Sequence, residues 1–158
     1  MAEKAQYVTL GVAGELFAAP VVQVQEILDT RPIARLPQAP HNLLGMIDVR
    51  GEGIPVLDLR LTLGLETAPD TENTRIIVLK VRPRDTELTV GLRADRVFEV
   101  TVLDGDQLSP PPEVNGAWTG RSIAGIGRRN GQFVTVLDLD SLLGAAEIPV
   151  KAGAQRAA

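Results

Sequence analysis

The sequence predicts an all-β fold of two small, similar barrels with a few short helices. Three observations carry the prediction. β-Branched runs of five to seven residues recur along the whole chain, helical periodicity is scarce, and a strand–turn motif set appears twice in the same order. Many short strands at regular spacing are the pattern of closed or nearly closed sheets.

Taken in order, Tyr7–Val12 and Leu16–Ala19 read as strands, joined by a turn at Ala13-Gly14. Val21–Leu28 carries apolar residues at spacings that fit two helical turns. Leu44 to Val49 forms a strand that Arg50 closes at the turn Arg50-Gly51-Glu52-Gly53, and Ile54–Leu59 returns from it. Arg60–Leu65 has room for one helical turn. Asp70-Thr71-Glu72-Asn73-Thr74 is polar and turn-rich, and divides the chain near its middle. Strands follow at Arg75–Val81, Leu88–Leu92 and Val97–Leu103. Pro110-Pro111-Pro112 stiffens a loop, and Asn130-Gly131 supplies two residues that tolerate the positive φ of a tight hairpin. Phe133–Leu139 is a further strand, and Asp140–Leu143 a last short helix.

The repeat has a defined offset. Ile54-Pro55-Val56-Leu57-Asp58-Leu59 recurs 80 residues later as Val134-Thr135-Val136-Leu137-Asp138-Leu139. At the same offset Gly45 pairs with Gly125, Gly51 with Gly131, and Leu63-Gly64 with Leu143-Gly144. Val24-Gln25-Glu26-Ile27 is echoed by Val97-Phe98-Glu99-Val100. Four elements in matching order are poorly explained by chance in a chain rich in Leu and Val. They imply two similar barrels, divided near residues 66–74, that bury apolar faces against one another.

Composition removes most chemistry. The chain has 158 residues, no cysteine and one histidine, so thiolate metal sites, disulfides, thiol nucleophiles and multi-histidine metal centres are excluded. A net charge of −4 and 3% aromatic residues argue against a nucleic-acid surface. Apolar runs are all far shorter than the roughly 20 residues that cross a bilayer. His41 follows Pro40 with no local carboxylate to orient it, and Ser109, Ser122 and Ser141 lack a nucleophile-elbow context. Asp104-Gly105-Asp106 and Asp138–Asp140 read as turns or helix caps. No catalytic residue, cofactor or metal is expected. Arg50 stands apart. It either pairs Asp48 or Asp58 at a barrel rim, or its fork is held by the turn to bond a partner's carboxylate or carbonyls.

Taken together, Tyr7-Val8-Thr9-Leu10-Gly11, Val24-Gln25-Glu26-Ile27, Leu44-Gly45-Met46-Ile47-Asp48-Val49-Arg50-Gly51, Val90 to Val97 and the two VLDL segments resemble the CheW family of bacterial chemotaxis adaptors, over about residues 7–144. The resemblance implies two intertwined SH3-like β-barrel subdomains, about 7–66 and 75–144, joined by a linker at about 67–74. Strand exchange between them is left open, and residues 1–6 and 145–158 are expected to be tails. It also implies a cytoplasmic, non-catalytic scaffold, monomeric when isolated. Such a scaffold couples methyl-accepting chemoreceptor tips to the regulatory domain of a CheA-type histidine kinase at receptor arrays. Carried over residue by residue, receptor contact falls on Val24, Glu26, Ile27, Gly45 and Arg50, and kinase or ring contact on Pro112, Glu113 and Val114. Two departures stand out: Val114 where an aromatic residue is common, and Asp48 where asparagine is usual. The alternatives are an isolated CheW-like regulatory domain of a kinase or a receiver-fused adaptor, and, from another class, a small-ligand-binding double barrel.

Overall fold

The computed structural model describes residues 5–105, 107–112 and 122–144. Strands β1 Tyr7–Val12 and β2 Glu15–Pro20 open the chain, followed by β3 Val24–Asp29, β4 Leu43–Val49 and β5 Glu52–Asp58. The helix α1 Leu59–Thr62 comes next, then β6 Arg75–Val81, β7 Leu88–Ala94 and β8 Arg96–Thr101. The described chain closes with β9 Ile123–Arg129, β10 Gln132–Leu137 and the helix α2 Leu139–Gly144.

The helix expected over Val21–Leu28 is a correction. Only Val21–Gln23 makes a single 3-10 turn, and β3 takes the rest. Two isolated helical turns are marginal in water. β3 instead gains a ladder against β6, with Ile27 opposite Ile77 and Asp29 opposite Arg75.

One sheet runs β8-β1-β2-β10-β9 and the other β3-β6-β7-β5-β4. Each therefore combines three strands of one half with the opening hairpin of the other. The hairpins enter through parallel junctions, β2 on β10 (Phe17 opposite Thr135) and β7 on β5 (Leu92 opposite Leu57). Sheet membership thus crosses the division expected at residues 67–74. Each sheet also curls back on itself. Beyond the edge strand β3, Ala34 exchanges two backbone hydrogen bonds of 2.8 Å with Met46 on the far edge strand β4. Beyond β8, Ser109 exchanges two backbone hydrogen bonds, of 2.9 and 2.7 Å, with Ile126 on β9.

The offset of 80 holds in three dimensions. Gly45 lies opposite Val56 in one hairpin and Gly125 opposite Val136 in the other. Both hairpins turn on two consecutive positive-φ residues: Arg50 (52°) and Gly51 (85°), Asn130 (54°) and Gly131 (82°). That is the pairing whose twist suits a two-residue β-turn.

Packing follows from the exchange. The largest core lies between the sheets and draws Leu10 and Val12 from β1, Leu57 and Leu59 near the end of β5, Leu79 and Leu92, and Leu137, Leu139 and Leu143. Burying each such leucine is worth about 1.5–3 kcal/mol, so neither half keeps its core without the other. A smaller interior in each curled sheet is filled by Ile47, Val56, Ile76 and Val78 in one, and by Ala18, Leu103, Val134 and Val136 in the other.

The segment after α1 is fastened rather than loose. Arg93, nearly buried, donates from Nε to Asp70 Oδ1 at 2.7 Å and from Nη2 to the Ala68 carbonyl at 2.6 Å. Its Nη1 lies 3.5 Å from Asp58, which is fully buried, and the Thr67 hydroxyl donates to the same carboxylate at 2.6 Å.

Candidate functional site

β3 is an edge strand, so its outer rim faces away from the sheet. Its half-buried Glu26 meets Arg50, which projects from the β4–β5 turn with its side chain 74% exposed. The guanidinium grips the carboxylate with both terminal nitrogens, Nη1 to Oε1 at 3.2 Å and Nη2 to Oε2. Asp48 does not pair Arg50. Its Oδ1 accepts from the Gly51 amide at 2.7 Å, which fixes the turn that carries the arginine. Asp58 is engaged by Arg93, Thr67 and the Arg60 amide. The rim pairing expected for Arg50 with Asp48 or Asp58 is therefore corrected to Glu26. The hydrogen bond from Arg50 holds the Glu26 carboxyl below its ordinary range, against a smaller opposing effect of desolvation, and the charges of Arg50 and Arg31 lower it further. The same hydrogen bond raises Arg50.

The other residues expected at this site separate. Ile27 is 40% exposed and projects from the opposite face of β3 to Glu26. Val24 is half-buried and packs on the central core. Gly45 is buried and has no side chain to offer. A Cβ there would stand 2.2 Å from the Ala34 carbonyl oxygen at a φ of 147°, so its role is to let the Ala34 segment close the sheet. Pro112 is exposed, whereas Glu113 and Val114 lie outside the described residues.

The second half carries a related ion pair, although the turn position matching Arg50 is Asn130. Glu99 on β8 pairs Arg129, with Arg129 Nε 3.3 Å from Oε2. The repeated V-x-E segment was the signal for this pair, which sequence reasoning left unused. Around it Phe98, Val100 and Phe133 are at least half exposed, with the Arg96 guanidinium 5.1 Å from the Phe98 ring centre and Arg128 4.2 Å from that of Phe133. A cleft of about 540 Å³ opens beside them, lined among others by Thr9, Phe98, Asn73, Arg60 and Asp95. Two ion pairs lie in its walls, which Glu15 and Arg96 also line. Arg60 grips Asp95 with Nε at 2.9 Å and Nη2 at 2.8 Å, and Arg129 holds Glu99.

Acids elsewhere hold backbone. Asp104 accepts from the Asn130 and Gly131 amides, which lowers its pKa, and Asp138 accepts from the Ser141 amide and hydroxyl. Among the described residues no group of three His, Cys, Asp or Glu side chains could hold a metal ion, and no helix is long and apolar enough to cross a membrane.

What this geometry presents is a surface with ion pairs set at the edges of its sheets. The family model for the CheW-like domain matches residues 6–147. The chain belongs to the CheW-like domain family. Among similar CheW proteins, the chemotaxis protein CheW of Helicobacter pylori is 28% identical over 141 residues, 89% of this chain and 82% of that protein. The chemotaxis protein CheW of Bacillus subtilis is 29% identical over 132 residues, 84% of this chain and 82% of that one. The crystal structure of the scaffolding protein TtCheW from Thermoanaerobacter tengcongensis superposes with a TM-score of 0.77 at 26% identity. The match covers 89% of this chain and 93% of that one. The CheW-like fold, all-β with two sheets and short helices, is therefore shared along nearly the whole domain.

Proposed function

We propose that this CheW-like chain is a non-catalytic adaptor that couples methyl-accepting chemoreceptors to a CheA-type histidine kinase in bacterial chemosensory signalling. The observation that carries the reading is the Glu26–Arg50 pair. A fork held by a hairpin turn and a carboxylate on an edge strand form a fixed recognition feature rather than a reactive one. Family membership and the CheW relatives support the same role.

In this reading the receptor tip docks at Glu26 and Arg50, and the kinase regulatory domain is contacted through Pro112, Glu113 and Val114. The work done is positional. Because the central core binds the two sheets into one body, a small displacement of the receptor reaches the kinase as a change in its geometry, which biases its active and inactive states. The adaptor is cytoplasmic, monomeric when free, and recruited to receptor arrays at the inner face of the membrane.

The test is capture of the purified chain by an immobilised chemoreceptor cytoplasmic tip and, separately, by a CheA-type regulatory domain. Binding to both supports the adaptor, and binding to neither overturns it.

A further inference from the structure

The two hairpins that turn on positive-φ residues differ in one chemical respect. In each, an aspartate accepts from the amide of the turn glycine: Asp48 Oδ1 from Gly51 at 2.7 Å, and Asp104 Oδ2 from Gly131 at 3.0 Å. Gly51 follows an arginine, whereas Gly131 follows Asn130. Asn-Gly is the dipeptide most prone to deamidation, because glycine has no side chain to block the approach of its amide nitrogen to the asparagine side chain. Both residues are exposed, and the Asn130 side-chain amide has no hydrogen-bond partner among the described residues. The backbone side of the turn is guarded instead. The Asp104 amide donates to the Arg128 carbonyl at 2.7 Å, which fixes the aspartate beside the turn, and its Oδ1 accepts from the Asn130 amide at 3.2 Å.

Deamidation begins when base removes the Gly131 amide proton and the nitrogen attacks Asn130 Cγ. The bond from Cγ to the side-chain nitrogen then breaks, ammonia leaves, and a succinimide closes between the two residues. Water opens that ring to aspartate or isoaspartate at position 130. A carboxylate that accepts the same N–H opposes the first step, because it would face the developing nitrogen anion at hydrogen-bond distance. We propose that Asn130 is a latent deamidation site, kept unreactive in the folded chain by the Asp104 carboxylate. Conversion would add a negative charge to the wall of the cleft, which Asn130 lines together with Arg129. The proposal stands independently of the docking reading above.

The experiment follows deamidation of the full chain at neutral pH by mass-spectrometric peptide mapping after digestion at acid pH. Asp104→Ala is measured alongside, with circular dichroism on both proteins. Asn115-Gly116, the same dipeptide outside the described residues, is the internal reference in each digest. Asp104→Ala is expected to convert Asn130 roughly tenfold faster than the wild type, as loss of one charge-assisted bond at the reacting nitrogen allows, with the Asn115 rate unchanged. Equal Asn130 rates in the two folded proteins overturn the proposal, and so does an equal rise at Asn115 and Asn130. If Asp104→Ala unfolds, hydrogen exchange of the Gly131 amide in the wild type decides, because base removes the same proton. Exchange roughly tenfold or more slower than in the unfolded chain supports the guard, and exchange at the unfolded rate overturns it.

Discussion

The Glu26 carboxylate on β3 receives both terminal nitrogens of Arg50, which stands at a φ of 52° in the β4–β5 turn, 24 residues further along the chain. The pair joins an edge strand to a hairpin tip on the opposite edge of the same sheet, and in the other sheet Glu99 on one edge strand meets Arg129 at the end of the other through Nε. Both are surface features on a framework whose strength lies elsewhere. That separation of rigid core from charged rim gives each prediction its sign.

Breaking the rim pair should leave the fold intact. Arg50→Ala and Glu26→Ala are each expected to melt within about 3 °C of the wild type, because exposed ion pairs contribute little to stability. Differential scanning calorimetry checks this, and a fall of ten degrees would make the pair structural.

The Asp58–Arg93 contact behaves oppositely. Arg93→Ala leaves a fully buried carboxylate without its cation and releases Asp70 and the Ala68 carbonyl. A loss of about 3–5 kcal/mol is expected in urea denaturation, with the segment at 67–74 becoming sensitive to protease. An unchanged urea midpoint would contradict it.

Gly45→Ala should destabilise by about 2–4 kcal/mol, since the new methyl meets the Ala34 carbonyl at a backbone angle that favours glycine. Reduced partner binding in this variant should track the unfolded fraction. Full stability combined with lost binding would instead make Gly45 a contact residue.

Asp95 sets an acid limit. Hydrogen bonds from Arg60 hold its carboxyl below the ordinary value of 3.8, opposed by desolvation and aided by the Ala13 amide. The unfolded chain therefore takes up the proton at higher pH than the folded one. The stabilisation is fully present above about pH 4 and is lost as pH falls through the lower folded value. Urea midpoints measured from pH 6 to pH 3 should fall less steeply for Asp95→Asn than for the wild type. Equal slopes would contradict the assignment.

Much of this architecture is legible in the residues because it is local. β-Branched runs mark β1, β6 and β10, and Asn130-Gly131 marks its turn, since strand propensity and positive φ are properties of a few neighbours. The repeat marks the paired hairpins for the same reason. Val21–Leu28 misleads, because its apolar spacing fits helix and strand alike and only the distant β6 decides between them. The hairpin exchange is likewise hidden. It depends on Phe17 meeting Thr135 and Leu57 meeting Leu92, contacts that no sequence window contains. At the site, the resemblance pointed to Glu26 and Arg50 but not to their mutual bond. It also counted Gly45 as a contact, and the fold separately needs that position to lack a side chain.

The most direct test of the account is the affinity of the full chain for a chemoreceptor cytoplasmic tip, with Arg50→Glu as the comparison and circular dichroism on both proteins. Reversing the charge places two carboxylates face to face and should weaken binding at least tenfold, with an unchanged β spectrum. Equal affinity in the two proteins, or loss of the β spectrum in the variant, would contradict the account.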